Sequence, residues 1–274
     1  MNTVRVMSKN AAYQKFEVLR TNRNKRYRYG EFLVEGVRNI NHAIRNGWQF
    51  TSLLYSPETP LSRWAQEVLD TVSCDTHYQL SSNLMQELSG KTDTSELLAI
   101  LRMRPDDPAL MHDSPCPLYI LFDRPSNHGN LGSIIRSADA LGADGLILTG
   151  HGVDLYQPEV ITASMGSFFN LPAIRMADND TVFDWIARQR DLHPGFQVIG
   201  TTAHKQLNIT QVDFRLPTLL MIGNETEGLC RAFKEGCDLL ATIPMADTSS
   251  ASSFNVACAA TVMMYEVCRQ RAQE

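Results

Sequence analysis

The chain of 274 residues has no C-x-x-C pair, and none of its six cysteines stands at a zinc-ligand spacing from its seven histidines. That argues against a metal site, and the cysteines (74, 116, 230, 237, 258 and 268) read as reduced thiols of a cytoplasmic protein. Cys258 in particular reads as a small core residue. No apolar run approaches the roughly 20 residues that a membrane span requires. The opening M-N-T-V-R-V-M-S-K-N lacks the apolar core of a secretory signal. An excess of positive charge is also missing: the net charge of −5 argues against a protein that coats nucleic acid. Nor is there a G-x-G-x-x-G, or an acid about 20 residues beyond the first glycine-bearing turn, so a doubly wound dinucleotide-binding enzyme is disfavoured.

What is present is a globular composition, 43% hydrophobic and 20% charged. The charge is unevenly placed. Through residue 105 there are 14 basic and 10 acidic side chains, against 11 and 20 after it, which suggests two modules with different duties. In the first, strands at Phe32–Val34, Phe50–Tyr55, Thr76–Leu80 and Leu97–Leu101 alternate with helices at Asn10–Leu19, at 37–46, at Leu61–Val72 and at Ser82–Leu88. Val37, Ile40, Ala43 and Ile44 form the expected core face of the second of these helices. Residues 106–117, rich in proline and acids and without period, read as a linker. From 118 to 274, strands at Leu118–Phe122, Gly145–Thr149, Ala173–Met176, Val198–Thr201, Leu219–Ile222 and 241–243 alternate with helices, so a parallel sheet is expected, with ligands at its carboxyl ends.

Four stretches carry the chemistry. Between Arg23 and Arg28 four of six residues are basic (Arg23, Lys25, Arg26, Arg28), with Tyr27 and Tyr29 beside them. Such side chains meet phosphates and stack on unpaired bases, and the same composition also suits a solvated face. In D-R-P-S-N-H-G-N-L-G-S-I-I-R-S-A, Leu131, Ile134, Ile135 and Ala138 form a core face, while Arg136 shares the other side with Ser133, Ser137 and Ala140. An arginine among small residues suits a phosphate or an anionic oxygen, or equally a surface ion pair. In L-L-M-I-G-N-E-T-E-G-L, an apolar strand runs into Gly223 and the turn closes at Gly228, a backbone able to bend round a ligand. Glu225 and Glu227 suit the first turn of a following helix as well. Last, I-P-M-A-D-T-S-S-A-S-S-F-N ends a strand at Pro244 and leads through a serine-rich loop into an apolar helix, which is expected to be buried on most sides.

Three blocks, N-L-G-S-I-I-R (Asn130–Arg136), G-N-E-T-E-G-L (Gly223–Leu229) and I-P-M with S-F-N-V-A (Ile243–Met245, Ser253–Ala257), occur in order and near the usual spacing. Together they resemble the motifs of the SpoU/TrmH family of RNA ribose 2′-O-methyltransferases, within the SPOUT superfamily. K-R-Y-R-Y-G-E-F-L-V-E-G-V-R and A-I-L-R-M-R-P are similar to that family's L30e-like RNA-binding extension. Phe254 stands where Leu is usual, and the Gly that commonly follows I-P-M is missing.

The resemblance implies an α/β chain with an L30e-like domain at 1–105 and a trefoil-knotted SPOUT domain with a parallel sheet at 118–274. It implies S-adenosylmethionine as cofactor, held by Gly223, Asn224, Ile243, Met245 and Phe254, with Gly228 and Leu229 shaping the wall and Thr201 and Ala203 beside them. It implies Arg136 as the catalytic residue, which the family sometimes treats as a general base. Because a guanidinium stays protonated, Arg136 reads better as a clamp on the target phosphate that stabilises a developing alkoxide. Asn130, Glu225, Ser253 and Asn255 would orient the reacting groups, and Arg23, Lys25, Arg26, Arg28 and Arg38 would meet RNA. A homodimer is expected, acting on structured RNA, with ribosomal RNA favoured over tRNA. A non-catalytic RNA-binding protein with an altered pocket at Phe254 is the competing class.

Overall fold

The computed structural model describes residues 2–91, 93–204 and 206–272. In chain order the first elements are β1 (Asn2–Val6), α1 (Ala11–Thr21), α2 (Arg23–Tyr29), β2 (Glu31–Glu35), α3 (Val37–Arg45) and β3 (Phe50–Tyr55). They are followed by α4 (Arg63–Thr71), β4 (Thr76–Leu80), α5 (Ser82–Leu88) and β5 (Leu97–Arg102). After these come β6 (Leu118–Asp123), α6 (His128–Ala140), β7 (Gly145–Thr149), α7 (Pro158–Ala163), β8 (Ala173–Met176) and α8 (Asn179–Leu192). The chain ends with β9 (Gln197–Thr201), β10 (Leu207–Asn208), β11 (Thr218–Ile222), α9 (Arg231–Gly236), β12 (Leu239–Thr242) and α10 (Val256–Arg271). Two compact units result, one of Met1–Arg104 with Asp154–Asn170, the other of Pro105–Val153 with Leu171–Glu274.

The first unit is a five-stranded sheet in the order β1-β4-β3-β5-β2, parallel among β1, β4 and β3 and antiparallel where β5 meets β3 and β2. Asn10 and Asn22 cap α1 and α2 by accepting from Tyr13 N and Lys25 N, and Gly30 ends α2 at φ +64°. Tyr13, Phe16, Leu19, Leu54 and Leu98 are among its core residues. The face expected for α3 is only half right: Ile40 and Ala43 are buried, but Val37 and Ile44 are exposed, while Asn39 is buried, its amide donating to Glu35 O.

The segment Asp154–Asn170 belongs to this unit, which the sequence pattern does not foretell. Its Tyr156, Phe168 and Phe169 join Phe32 and Trp48 in an aromatic cluster, and Trp48 Nε1 donates to Phe169 O at 2.9 Å. Beside the cluster Arg26 is fully buried. Its Nε and Nη2 reach Asp154 Oδ2 at 2.8 and 2.6 Å, Nη1 donates to Leu19 O and Arg20 O, and Nη2 also donates to Gln157. All five guanidinium N–H groups are engaged. The expectation that Arg26 meets RNA is therefore overturned: α2 turns this basic side chain inward, while Arg28 is exposed and Arg23 and Lys25 are half-buried.

The second unit is a seven-stranded parallel sheet in the order β10-β12-β9-β11-β6-β7-β8. Strands β6, β7 and β11 are buried along their whole length, as parallel strands covered on both faces must be. Residues expected to be a linker pack onto this unit: Met111 lies so close to Gly145 that a Cβ there would be 2.7 Å from its Sδ, and Arg175 pairs with Asp106 at 2.9 Å. Late strands enter between earlier ones, β11 between β9 and β6 and β12 between β9 and β10. From β12 the chain turns back as α10 alongside α6, joined by Ser137 Oγ and Thr261 Oγ1 at 2.7 Å. Its last turn is held at the amino end of the sheet, where Arg271 donates to Phe214 O, Leu216 O and Cys116 O. Among the described residues no helix is long and apolar enough to cross a membrane.

Candidate active site

The carboxyl ends of β9, β11 and β12 and the first turns of α10 enclose a cavity of about 350 Å³, within the range of small-ligand sites. All nine residues expected to hold a cofactor line it: Thr201, Ala203, Gly223, Asn224, Gly228, Leu229, Ile243, Met245 and Phe254. Glu225 and Ser253 line it too, as do His204, Lys234 and Met263, which sequence patterns did not single out.

Its wall at 223–229 is a tight backbone turn. Asn224 and Gly228 exchange N–H···O bonds at 3.1 and 2.9 Å, Gly228 has φ +70°, and Asn224 Oδ1 accepts from Thr226 N and Glu227 N. A Cβ on Gly223 would lie 2.2 Å from Leu229 N, a collision with backbone that nothing can relieve. The side chain of Asn224 and its backbone N–H and C=O are thus all occupied in the turn, so Asn224 sets the shape of the wall.

At the edge of the cavity a chain of side chains ties the three sequence blocks together. Asn255 caps α10 through Oδ1, which accepts from Ala257 N and Cys258 N, and its Nδ2 donates to Asn130 Oδ1 at 3.2 Å. Asn130 Nδ2 in turn donates to Glu225 Oε1 at 3.3 Å. The Glu225 carboxylate also accepts from Ser126 N, Ser126 Oγ and Asn127 N. Burial alone would raise its pKa, but the bonds from Ser126 and Asn130 outweigh burial and hold it below the ordinary range. Glu225 is therefore an ionised anchor whose lone pairs are engaged, and it is poorly placed to take up a proton. The motifs made Asn130 and Glu225 legible; Ser126 and Asn127, which complete the anchor, carried no signal beyond their place before a helix.

Arg136 is not brought into the cavity wall. It lies on the solvent side of α6, exposed, six residues and about 9 Å of helix beyond Asn130. On α10, which runs alongside α6, Val262 and Tyr265 are 41% and 58% exposed. Cys258 is exposed on this same helix, which corrects its reading as a core residue; a helix so apolar is left uncovered along one stripe. The remaining basic candidates belong to the first unit: Arg28 and Arg38 are exposed, Lys25 is half-buried, and Arg23 lies 5.8 Å from the Tyr27 ring centre. Among the described residues no group of His, Cys, Asp or Glu is arranged to hold a metal ion.

Comparison with known proteins points to one family. Residues 117–265 match the SpoU rRNA Methylase family and residues 10–99 the SpoU L30e-like domain. The chain is 45% identical over 268 residues, 97% of its length and 92% of the relative's, to the 23S rRNA (uridine(2479)-2′-O)-methyltransferase of Streptomyces viridochromogenes. It is 30% identical to the 23S rRNA (guanosine-2′-O-)-methyltransferase RlmB of Coxiella burnetii, covering 74% of each chain. Among solved structures it superposes with a TM-score of 0.91 on the SpoU methyltransferase AviRb of S. viridochromogenes in complex with AdoMet, at 45% identity over 96% and 98% of the chains. An AdoMet-bound rRNA methyltransferase of Sinorhizobium meliloti gives 0.84 at 28% identity, over 97% and 98%. By sequence over nearly its whole length and by fold, the chain belongs to the SpoU rRNA methylase family.

Proposed function

We propose that the protein transfers a methyl group from S-adenosylmethionine to the ribose 2′-hydroxyl of a nucleotide in ribosomal RNA. The observation that carries this reading is the cavity: all nine residues expected for the donor converge on it, from three strand ends and from the loop that leads into α10. The residues fit the donor chemically. Ile243, Met245, Leu229 and Phe254 offer apolar surface to a purine, the bent backbone of the 223–229 turn leaves room for its edge, and Glu225 and Glu227 set negative charge near a sulfonium. When bound, the donor supplies an electrophilic methyl.

The chain supplies position and charge. Methyl transfer to a hydroxyl is an in-line displacement, so much of its barrier lies in alignment. Asn255, Asn130 and Glu225 lock the α10 cap, α6 and the 223–229 wall into one piece, and Ser253 at the rim orients the hydroxyl. Arg136, outside this cavity at the border with a second copy, grips the phosphate of the target nucleotide and stabilises charge on the hydroxyl oxygen as its proton passes to water. Arg23, Lys25, Arg28 and Arg38 of the first unit hold the surrounding RNA fold.

The active form is a homodimer in which the uncovered stripe of α10 (Cys258, Val262, Tyr265) and the small-residue side of α6 face a second copy, with Arg136 at the border. The apolar exposure on an otherwise ordinary helix supports this. Sedimentation should find the wild type as a dimer and V262E/Y265E as a monomer; a monomeric wild type at micromolar concentration contradicts it. The function itself is tested by incubating the protein with methyl-labelled donor and either naked 23S rRNA or total tRNA from a host lacking the gene. Label is expected in the 23S rRNA at one position per molecule. Label confined to tRNA would move the substrate, and none in either RNA would sink the reading.

A further inference from the structure

Arg124 follows β6 directly and sits at φ +50°, in the left-handed region that disfavours a side chain. A glycine would adopt this conformation without strain, so the side chain itself must be in use. Its stem lies over Gly150, where a Cβ would stand 2.5 Å from Arg124 Cγ. Its guanidinium forks onto Asp123, with Nε to Oδ1 and Nη2 to Oδ2 both at 3.1 Å. Asp123 is buried and also accepts from Thr149 Oγ1 and Cys230 N, so the fork has a fixed base. From that base the other edge of the guanidinium reaches the cavity wall. Nη2 donates to Gly228 O at 3.0 Å and Nη1 pairs with the exposed carboxylate of Glu227. The backbone takes part as well: Asn224 Nδ2 donates to Arg124 O at 2.7 Å.

Asn224 and Gly228 are the two residues that face one another across the Gly223–Leu229 turn, and Arg124 is bonded to both. We infer that Arg124 is a positioning residue for the donor site, a strained clamp that holds the 224–228 turn in the shape that receives S-adenosylmethionine. The inference rests on the methyl-donor reading of the cavity. It assigns Arg124 no contact with the donor: it acts through Gly228 O and Asn224. The pair with Asp123 pushes the guanidinium's pKa further up, so the clamp stays charged at any working pH. A bland alternative exists, in which Arg124 only neutralises Asp123. Lysine can neutralise Asp123 but cannot form the planar fork that also spans to Gly228 O and Glu227.

The test is calorimetric titration of wild type, R124K and R124A with S-adenosylmethionine, alongside melting temperature and steady-state kinetics. Charge-assisted bonds of this kind predict a Kd about tenfold weaker in R124K and about thirtyfold weaker in R124A. KM for the donor should rise in step, while kcat at saturating donor and KM for RNA stay within about twofold. R124K should melt within a few degrees of wild type, so its lost affinity is not lost fold. Two results overturn the inference: both variants binding the donor within twofold of wild type, or R124K restoring affinity and melting temperature together. A wild type that gives no heat with the donor would instead overturn the donor reading itself, and this inference with it.

Discussion

Arg136→Ala is expected to lower kcat by about two to three orders of magnitude, a loss of about 3–4 kcal/mol in transition-state stabilisation. Donor affinity should hardly change, because Arg136 does not line the cavity. Stability should not change either. The side chain is exposed, and truncating an exposed residue that the fold does not use costs little. A rate collapse with melting temperature and donor Kd intact is a signature that few positions can give, and it separates catalysis from folding in one variant. Arg136→Lys should recover little, since a point charge cannot offer two parallel N–H groups to a phosphate. Single-turnover methylation with saturating donor is the measurement. A variant that folds, binds donor and methylates at the wild-type rate removes Arg136 from the mechanism.

The largest loss of stability is expected at a position with no part in the chemistry. Asp154→Ala leaves the guanidinium of Arg26 charged and fully buried, with Leu19 O, Arg20 O and Gln157 but without its counter-ion. The Tyr27 hydroxyl also loses the acceptor Asp154 Oδ1, to which it donates at 2.8 Å. Breaking one side of a buried pair costs about 3–5 kcal/mol, because the surviving charge cannot return to water. In a unit of this size that lowers the unfolding midpoint by about 10–20 °C. Asp154→Asn should be nearly as harmful, since an amide keeps the shape and leaves the charge unanswered. The double replacement R26M/D154L, which removes both charges, should lose less than either single truncation. Thermal unfolding followed by circular dichroism decides the matter: a shift under 3 °C for Asp154→Ala would show that the pair is not what seats the 154–170 segment.

The two networks also explain how much of the molecule the sequence made legible. Strands such as Phe50–Tyr55 and Gly145–Thr149 are short, mostly apolar runs whose bounds agree with the structure, and the bounds of the more polar Thr76–Leu80 and Ala173–Met176 agree as well. α9 went unseen because six residues with Phe233 alone buried carry no period. β1 went unseen because its pattern of mostly exposed residues at a sheet edge looks like an open terminus. The residues that line the cavity were legible through the three-motif resemblance, and the wall at 223–229 is built from a backbone turn that needs particular residues at particular places. What could not be read was long-range pairing of charge. Arg26 looks like its basic neighbours, and only the fold reveals that Asp154, 128 residues away, receives it. Val37 and Ile44 erred the other way, since helical spacing records which residues share a face and says nothing of what covers that face. Arg124 was hidden for a third reason. Its strain and its clamp exist only once β6 and the 223–229 turn are side by side.

Alkaline hydrolysis of the labelled 23S rRNA tests the central claim most directly. Cleavage of RNA by base needs a free 2′-hydroxyl to attack the neighbouring phosphate, so a methyl on that oxygen protects one linkage. The account predicts that all the label survives in a single alkali-resistant dinucleotide, and that Arg136→Ala protein places there about a hundredth or less of the wild-type label in the same time. Label released as a mononucleotide, with the methyl on a base, would contradict it.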